Sequence, residues 1–209
     1  ADLVWRTEAR YYAFNDICLM RFIKFVYEKD LEDVEEIDLS QRNLFNNLKG
    51  RFLELVVQVT MMKFGAETLD GKFFGKTGEI TVPTFRVVDT KYAKGSLSRS
   101  YQIDVLGREK ARGEKLWICE CKYTKTTKIG MKQVKKLGAA ADALRQEARD
   151  AERPVPEIQM WLVSTGGFTG EVREYVRDRE DIFFSDYEGI NSIFRAYGGN
   201  YDIPVFRES

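Results

Sequence analysis

The chain has 209 residues, 33 Lys plus Arg against 33 Asp plus Glu, and no histidine. Without an imidazole there can be no Ser-His-Asp or Cys-His nucleophile, no His-ligated zinc hydrolase and no His proton shuttle. Any catalysis must rest on carboxylates, lysines, hydroxyls or thiols, with a hard, oxygen-bound cation as the natural helper.

The length suits one domain, or one with an appendage. At 44% hydrophobic and 32% charged residues the composition is that of a soluble globular chain with a real core. No apolar run approaches the roughly 18 residues a membrane span needs, and no signal peptide is legible, so no membrane association and a cytoplasmic protein are expected. Cys18, Cys119 and Cys121 are odd in number, and the last two share one face of a strand, so they read as free buried thiols. The zero net charge hides a polarised chain. Glu28 to Asp38 holds seven acids and one base, whereas Arg108 to Lys136 holds ten bases and three acids.

In chain order, Glu8 to Lys29 is apolar on nearly every side and is predicted as a helix buried on more than one face. An acidic connector follows, then a short helix over Ser40 to Leu48 with Ser40 as N-cap. Gly50 to Phe64 is too long an apolar run for a strand and is predicted as a buried helix, on which Arg51, Glu54 and Gln58 form a polar stripe facing either solvent or a site.

Phe73 to Leu106 is broken by glycines and Pro83 and predicts a bent antiparallel region. Tyr101 to Leu106 and Leu116 to Lys122 are the clearest strands, joined by a polar loop over Gly107 to Lys115. Met131 to Asp150 carries Met131, Val134, Leu137, Ala141, Leu144 and Ala148 on one helical face. Ile158 to Val163 is an apolar strand after it, an order that implies parallel pairing through a crossover. A helix over Thr169 to Arg177, a strand over Ile182 to Phe184 and a helix over Gly189 to Tyr197 complete an α/β chain. Gly166-Gly167-Phe168-Thr169-Gly170 reads as a strand-to-helix turn with Thr169 as N-cap rather than as an anion loop, and Trp117 and Trp161 read as packing residues.

The chemistry centres on Asp104 in one strand and Glu120-Cys121-Lys122 in the next. Alternation along a strand puts Glu120 and Lys122 on one face, with Trp117 and Cys121 on the other. A hairpin centred near Arg112 sets Asp104 opposite Glu120. Facing acids and a lysine can be no more than cross-strand ion pairs on a solvated face. They can equally be a metal site, since two like charges repel and raise each other's pKa unless a cation lies between them. Mg²⁺, an oxygen-binding cation that keeps several waters, fits the second reading. Three features favour it: Glu54 on the polar stripe of an upstream helix, the basic, hydroxyl-rich run Tyr123 to Lys136, and a strand order that places Glu120 in a central strand, where a solvated face is not expected.

The runs Ile103-Asp104-Val105-Leu106, Ile118-Cys119-Glu120-Cys121-Lys122-Tyr123 and Lys132-Gln133-Val134-Lys135-Lys136-Leu137 resemble the core of the PD-(D/E)xK, or restriction-endonuclease-like, nuclease superfamily. Leu162 to Thr169 and Ile182 to Asp186 are similar to its Mrr-like branch. The resemblance spans about Gly50 to Tyr197. It implies a restriction-endonuclease-like core, a mixed β-sheet flanked by helices, over residues 50–209, and a helical segment or linker from a preceding domain over residues 1–49. It implies a divalent-metal-dependent DNA nuclease, an endonuclease rather than an exonuclease, with Mg²⁺ as cofactor and Mn²⁺ as substitute. By matching, Asp104 and Glu120 are the metal-binding acids, Lys122 lies beside the attacking water, Glu54 is the acid from the first core helix, and Gln133 is the helical glutamine near the site. Lys125, Lys128, Lys132, Lys135 and Lys136 are expected to grip the DNA backbone. No proline precedes Asp104, a departure from the motif's name.

Tyr11 to Asp16 and Met20 to Tyr27 resemble the segment joining archaeal-type ATPases to a C-terminal nuclease-like domain. With no phosphate-binding loop of its own, the chain would then be a domain of a longer ATPase. The partners expected are DNA, an ATPase domain in the same or another chain, and a second copy in a homodimer. The alternative is a catalytically inactive nuclease-fold module for DNA binding or docking.

Overall fold

The computed structural model describes residues 4–6, 12–14, 39–94, 100–109, 115–124 and 126–198. The chain falls into two compact units, Ala1–Phe52 with Phe206–Ser209, and Leu53–Val205. In the first, β1 (Val4–Arg6) pairs antiparallel with β2 (Tyr12–Phe14). The helix predicted from Glu8 therefore does not hold at its start, where Tyr12 to Phe14 take extended backbone. The rest of that segment, with Cys18, lies outside the described residues.

The helix α1 (Leu39–Met62) replaces the two helices predicted on either side of Gly50. A single glycine costs a helix only about 1 kcal/mol, and good helix formers surround this one. Ser40 thus lies inside the first turn instead of capping it.

In the second unit β3 (Thr68–Asp70) and β4 (Glu79–Thr81) form an antiparallel pair around a 3₁₀ turn at Gly71–Phe74. The principal sheet has five strands in the order β5 (Phe85–Lys94), β6 (Ser100–Glu109), β7 (Lys115–Lys122), β8 (Glu157–Ser164) and β9 (Ile182–Ser185). The β5–β6 and β6–β7 pairs are antiparallel, whereas β7–β8 and β8–β9 are parallel. The chain is thus mixed α/β, as expected. The predicted Gly107 to Lys115 loop is shorter, because β6 runs on to Glu109. Gly107 is required there: a Cβ would meet Phe85 and Met61 at 2.5 and 2.6 Å.

Three helices accompany the sheet: α2 (Met131–Asp150) between β7 and β8, α3 (Gly170–Arg177) before β9, and α4 (Tyr187–Ala196) after it. Thr169 caps α3 by accepting from the Val172 N–H, and Asp186 caps α4 by accepting from Gly189, so both turns end where a short polar side chain can replace a missing helical acceptor.

Both faces of the sheet are covered, which is why its central strands are nearly continuous apolar runs. On one face Leu106, Leu116, Ile118, Ile158 and Leu162 pack with Val134, Leu137, Ala141 and Leu144 of α2. The other face is aromatic. Trp117 stacks on Phe183 with centroids 5.2 Å apart, and Trp161 meets Phe64 and Phe74. Trp161 donates from Nε1 to Ser185 Oγ at 2.9 Å, and Ser185 in turn donates to the Phe73 carbonyl at 2.6 Å, so the buried indole is anchored at its polar atom. Among the described residues no helix is long and apolar enough to cross a membrane.

Candidate active site

The β6–β7 ladder runs from Arg108↔Leu116 to Val105↔Cys119. Its register centres on Arg112, as predicted, so the next step sets Asp104 against Glu120. Instead of a further backbone bond, Asp104 Oδ2 accepts from the Cys121 N–H at 2.8 Å. A carboxylate has taken the place of a ladder carbonyl, which explains how an acid sits in an apolar strand without orphaning a buried amide. Asp104 and Glu120 are 4% and 1% exposed, which excludes the solvated-face reading of the pair.

Two ammonium groups meet Glu120. Lys122 Nζ lies 2.8 Å from Oε1. Lys136 Nζ, from the second turn of α2, lies 2.9 Å from Oε1 and 3.0 Å from Oε2. Gln102 approaches Asp104 Oδ1 from Nε2 at 3.4 Å, a marginal contact. The cluster of two acids and two amines is formally neutral.

Burial, then the charge of Glu120, hold the Asp104 carboxyl above its ordinary range, against the opposing Cys121 N–H, Lys122 and Lys136. For Lys122 burial works against the ammonium, but the hydrogen bond and charge of Glu120, with Asp104 behind it, outweigh burial and hold the amine above its ordinary value. Lys122 is therefore a cation at neutral pH, a hydrogen-bond donor rather than a base. The Cys121 thiol, on the opposite face of β7, is pushed well up by burial and then by the charges of Cys119, Asp104, Glu54 and Glu120.

Glu54, half-buried on α1, is close enough for its charge to act on Cys121 near the end of β7. Its helix α1 is registered there by Met61, whose Sδ meets Cys119 Sγ at 3.6 Å, and by Gln58, which donates to the Val88 carbonyl at 3.3 Å. Gln58 thus serves packing of the polar stripe rather than chemistry, and Arg51 is exposed. Gln133 is half-buried in the first turn of α2, one turn before Lys136.

Of the lysines expected on DNA, Lys128, Lys132 and Lys135 are exposed, Lys136 is committed to Glu120, and Lys125 lies outside the described residues. The segment that carries Lys128 is tied down at both ends. The Thr124 N–H donates to Thr165 Oγ1, which donates back to the Thr124 carbonyl, and Ile129 bonds through its backbone to Gly167 and Thr169. Gly166 permits this closeness, since a Cβ there would lie 2.1 Å from Thr124 Oγ1.

Two participants were not assigned to the site from sequence. Lys136 was read as a backbone grip. Ser164 ends β8 opposite Lys122, and its Oγ is buried without a hydrogen-bond partner. A strand ending in Ser was the one visible signal for it.

The donor set was compared with what Mg²⁺ requires. Among the described residues no three acidic or thiol groups converge as a metal cage. Mg²⁺, however, is ordinarily held by one or two carboxylates plus waters and substrate phosphates, so two adjacent buried carboxylates are a sufficient protein contribution. An added cation also offsets the burial, and after it the Glu120 repulsion, that raise Asp104. The residues fit the ion. Comparison of the chain with protein-family models, with curated proteins and with solved structures found no match in any of the three.

Proposed function

We propose that the chain is a divalent-metal-dependent deoxyribonuclease with a PD-(D/E)xK site, and an endonuclease rather than an exonuclease. The observation that carries this reading is the pair of buried carboxylates on adjacent strands, Asp104 and Glu120, with the ammonium of Lys122 2.8 Å from one of them. Burying two acids side by side is costly unless their charge is used. Asp104 and Glu120 would hold Mg²⁺, or Mn²⁺ in its place, and the ion when bound supplies Lewis-acid polarisation of a phosphate.

The chain's own residues do the rest. Hydrolysis adds a water oxygen to phosphorus and breaks the bond to the leaving oxygen, which takes up one of the water's protons while the other is released to solvent. Lys122, held as an ammonium, donates to the attacking water or to a phosphate oxygen, orients it and offsets developing negative charge. Lys128, Lys132 and Lys135 contact the sugar-phosphate backbone and carry no base selectivity. Glu54 and Gln133 take supporting positions at the edge of the site.

A second reading is favoured by one observation: both oxygens of Glu120 are already satisfied by lysines. A self-neutralised cluster suits a nuclease-fold module that binds DNA or docks an ATPase without cleaving.

Supercoiled plasmid incubated with the protein and Mg²⁺ decides between them. The nuclease reading expects nicking that Lys122→Ala abolishes, while DNA affinity in a gel shift changes less than about threefold, as loss of one cation near the backbone allows. Absence of cleavage of linear, supercoiled, branched and single-stranded DNA with either Mg²⁺ or Mn²⁺ sinks the nuclease and leaves the module. The same panel with RNA settles the nucleic acid.

A further inference from the structure

We propose that Lys136 is the exchangeable counter-ion of the site: its ammonium neutralises Glu120 while no divalent ion is bound, and it is the group that leaves when one binds. The inference rests on the metal-binding reading above and deepens it by naming what the ion must displace.

The geometry distinguishes the two lysines. Lys122 Nζ lies 2.8 Å from Oε1 of Glu120. Lys136 Nζ touches both oxygens, Oε1 at 2.9 Å and Oε2 at 3.0 Å. A divalent cation approaching Glu120 through Oε2 meets that ammonium, and the two positive charges repel. Tethering separates them in the same sense. Lys122 is two residues from Glu120 on the same strand, so its amine stays near the carboxylate in most rotamers. Lys136 reaches in from α2; the two side chains are similarly exposed, 44% for Lys136 and 39% for Lys122, and rotation of Lys136 about its own stem carries its amine into water without moving the backbone.

Charge gives the reason for an exchange rather than an addition. The four groups balance at zero as they stand. A divalent ion added to them would leave two uncompensated positive charges around an acid 1% exposed, an arrangement that burial penalises. Departure of one ammonium halves that excess, and substrate phosphate removes the remainder. Lys136 thus lowers the affinity for free metal ion and holds the Glu120 side chain aligned in its absence.

The test is calorimetric titration of Mg²⁺ into the full chain, without DNA. Lys136→Met is expected to bind the ion about tenfold more tightly than the natural protein, the scale on which one nearby charge acts at a partly buried site. Arg149→Met, the same charge loss farther along α2, is expected to change affinity less than about twofold, because screening removes distant charges. Lys136→Arg, which keeps the cation, is expected to bind no more tightly than the natural chain. Lys136→Gln gives the same comparison should the methionine variant not fold. Equal affinities for the Lys136→Met and Arg149→Met variants overturn the exchange and leave the metal site standing. Binding that persists in Glu120→Gln places the ion elsewhere and overturns both. Absence of binding in the natural chain and in Lys136→Met alike also overturns both, whereas binding gained only in Lys136→Met supports the exchange.

Discussion

Replacing Asp104 by Asn should make the protein more stable at neutral pH. Directly opposed residues of an antiparallel pair have Cβ atoms about 5 Å apart. Two unit charges at that separation repel by roughly 3 kcal/mol at an effective dielectric of about 20. The two ammoniums return much of this, and they do so mainly through Glu120, where both make their contacts. A net gain of about 1 kcal/mol remains for Asp104→Asn, which in a chain of this size raises Tm by roughly 2–4 °C. The amide keeps the one strong bond of Asp104, since Asn Oδ1 can accept from the Cys121 N–H as Oδ2 does now. The pH dependence fixes the cause. The Asp104 pKa in the fold is raised from 3.8, so its contribution to stability is fully present below that value and is lost as pH rises through the folded pKa. The advantage of the Asn variant should therefore be largest at pH 7 and vanish on acidification, once the natural Asp104 takes up its proton. Urea unfolding of both proteins from pH 3.5 to 7.5 measures it. An Asn variant that is less stable at pH 7, or whose advantage grows toward acid, refutes the idea that burial and Glu120 hold this acid under strain.

Gly75 and the paired cysteines give two further tests. Gly75 has φ +69° and its added Cβ would lie 2.3 Å from the Phe184 ring, so Gly75→Ala should cost about 2–4 kcal/mol with an unchanged urea m-value, and a loss under 0.5 kcal/mol would contradict the packing of β9. Burial pushes both Cys119 and Cys121 well above the ordinary thiol range, so peptide mapping after exposure to a thiol reagent should find both unlabelled in the native protein and labelled only in denaturant, and native labelling at Cys121 would show that the end of β7 opens.

The second half of the chain was legible because its elements are short, strongly patterned and punctuated. α2 keeps its apolar stripe at helical spacing, and its predicted and observed limits coincide at Met131 and Asp150. The β6–β7 register followed from the same logic, because one slipped residue would have turned Asp104 and Glu120 to opposite faces and Trp117 out of the aromatic layer. Illegibility began where the pattern was apolar throughout. Around Gly50 periodicity could not show whether a glycine breaks a helix or is carried by it. At Tyr12 to Phe14, a run without periodicity, extended pairing with Val4 to Arg6 depends on residues just outside the predicted helix, which propensity within the run does not register.

Lys136 is the instructive omission, because part of its signal was present. In the basic run ahead of α2 every lysine reads alike as a phosphate contact. Helical spacing separates them: Lys136 shares a face with Ala140 and Ala143, four and seven residues on, and both alanines are buried. Lys132, Lys135 and Lys136 all reach solvent, and of these three Lys136 forms an ion pair, with Glu120. A lysine in line with buried alanines has its stem beside protein, where its amine can reach an anion while still bordering water. What the sequence could not supply is which anion, since that depends on how far along β7 the helix sits after its crossover. The tie between Ile129 and Phe168 sets that distance, holding the start of α2 beside the end of β8. The register of one loop therefore bears on whether Lys136 meets only solvent or also Glu120, and with it whether the acid pair stands unopposed or, as found, is formally neutralised.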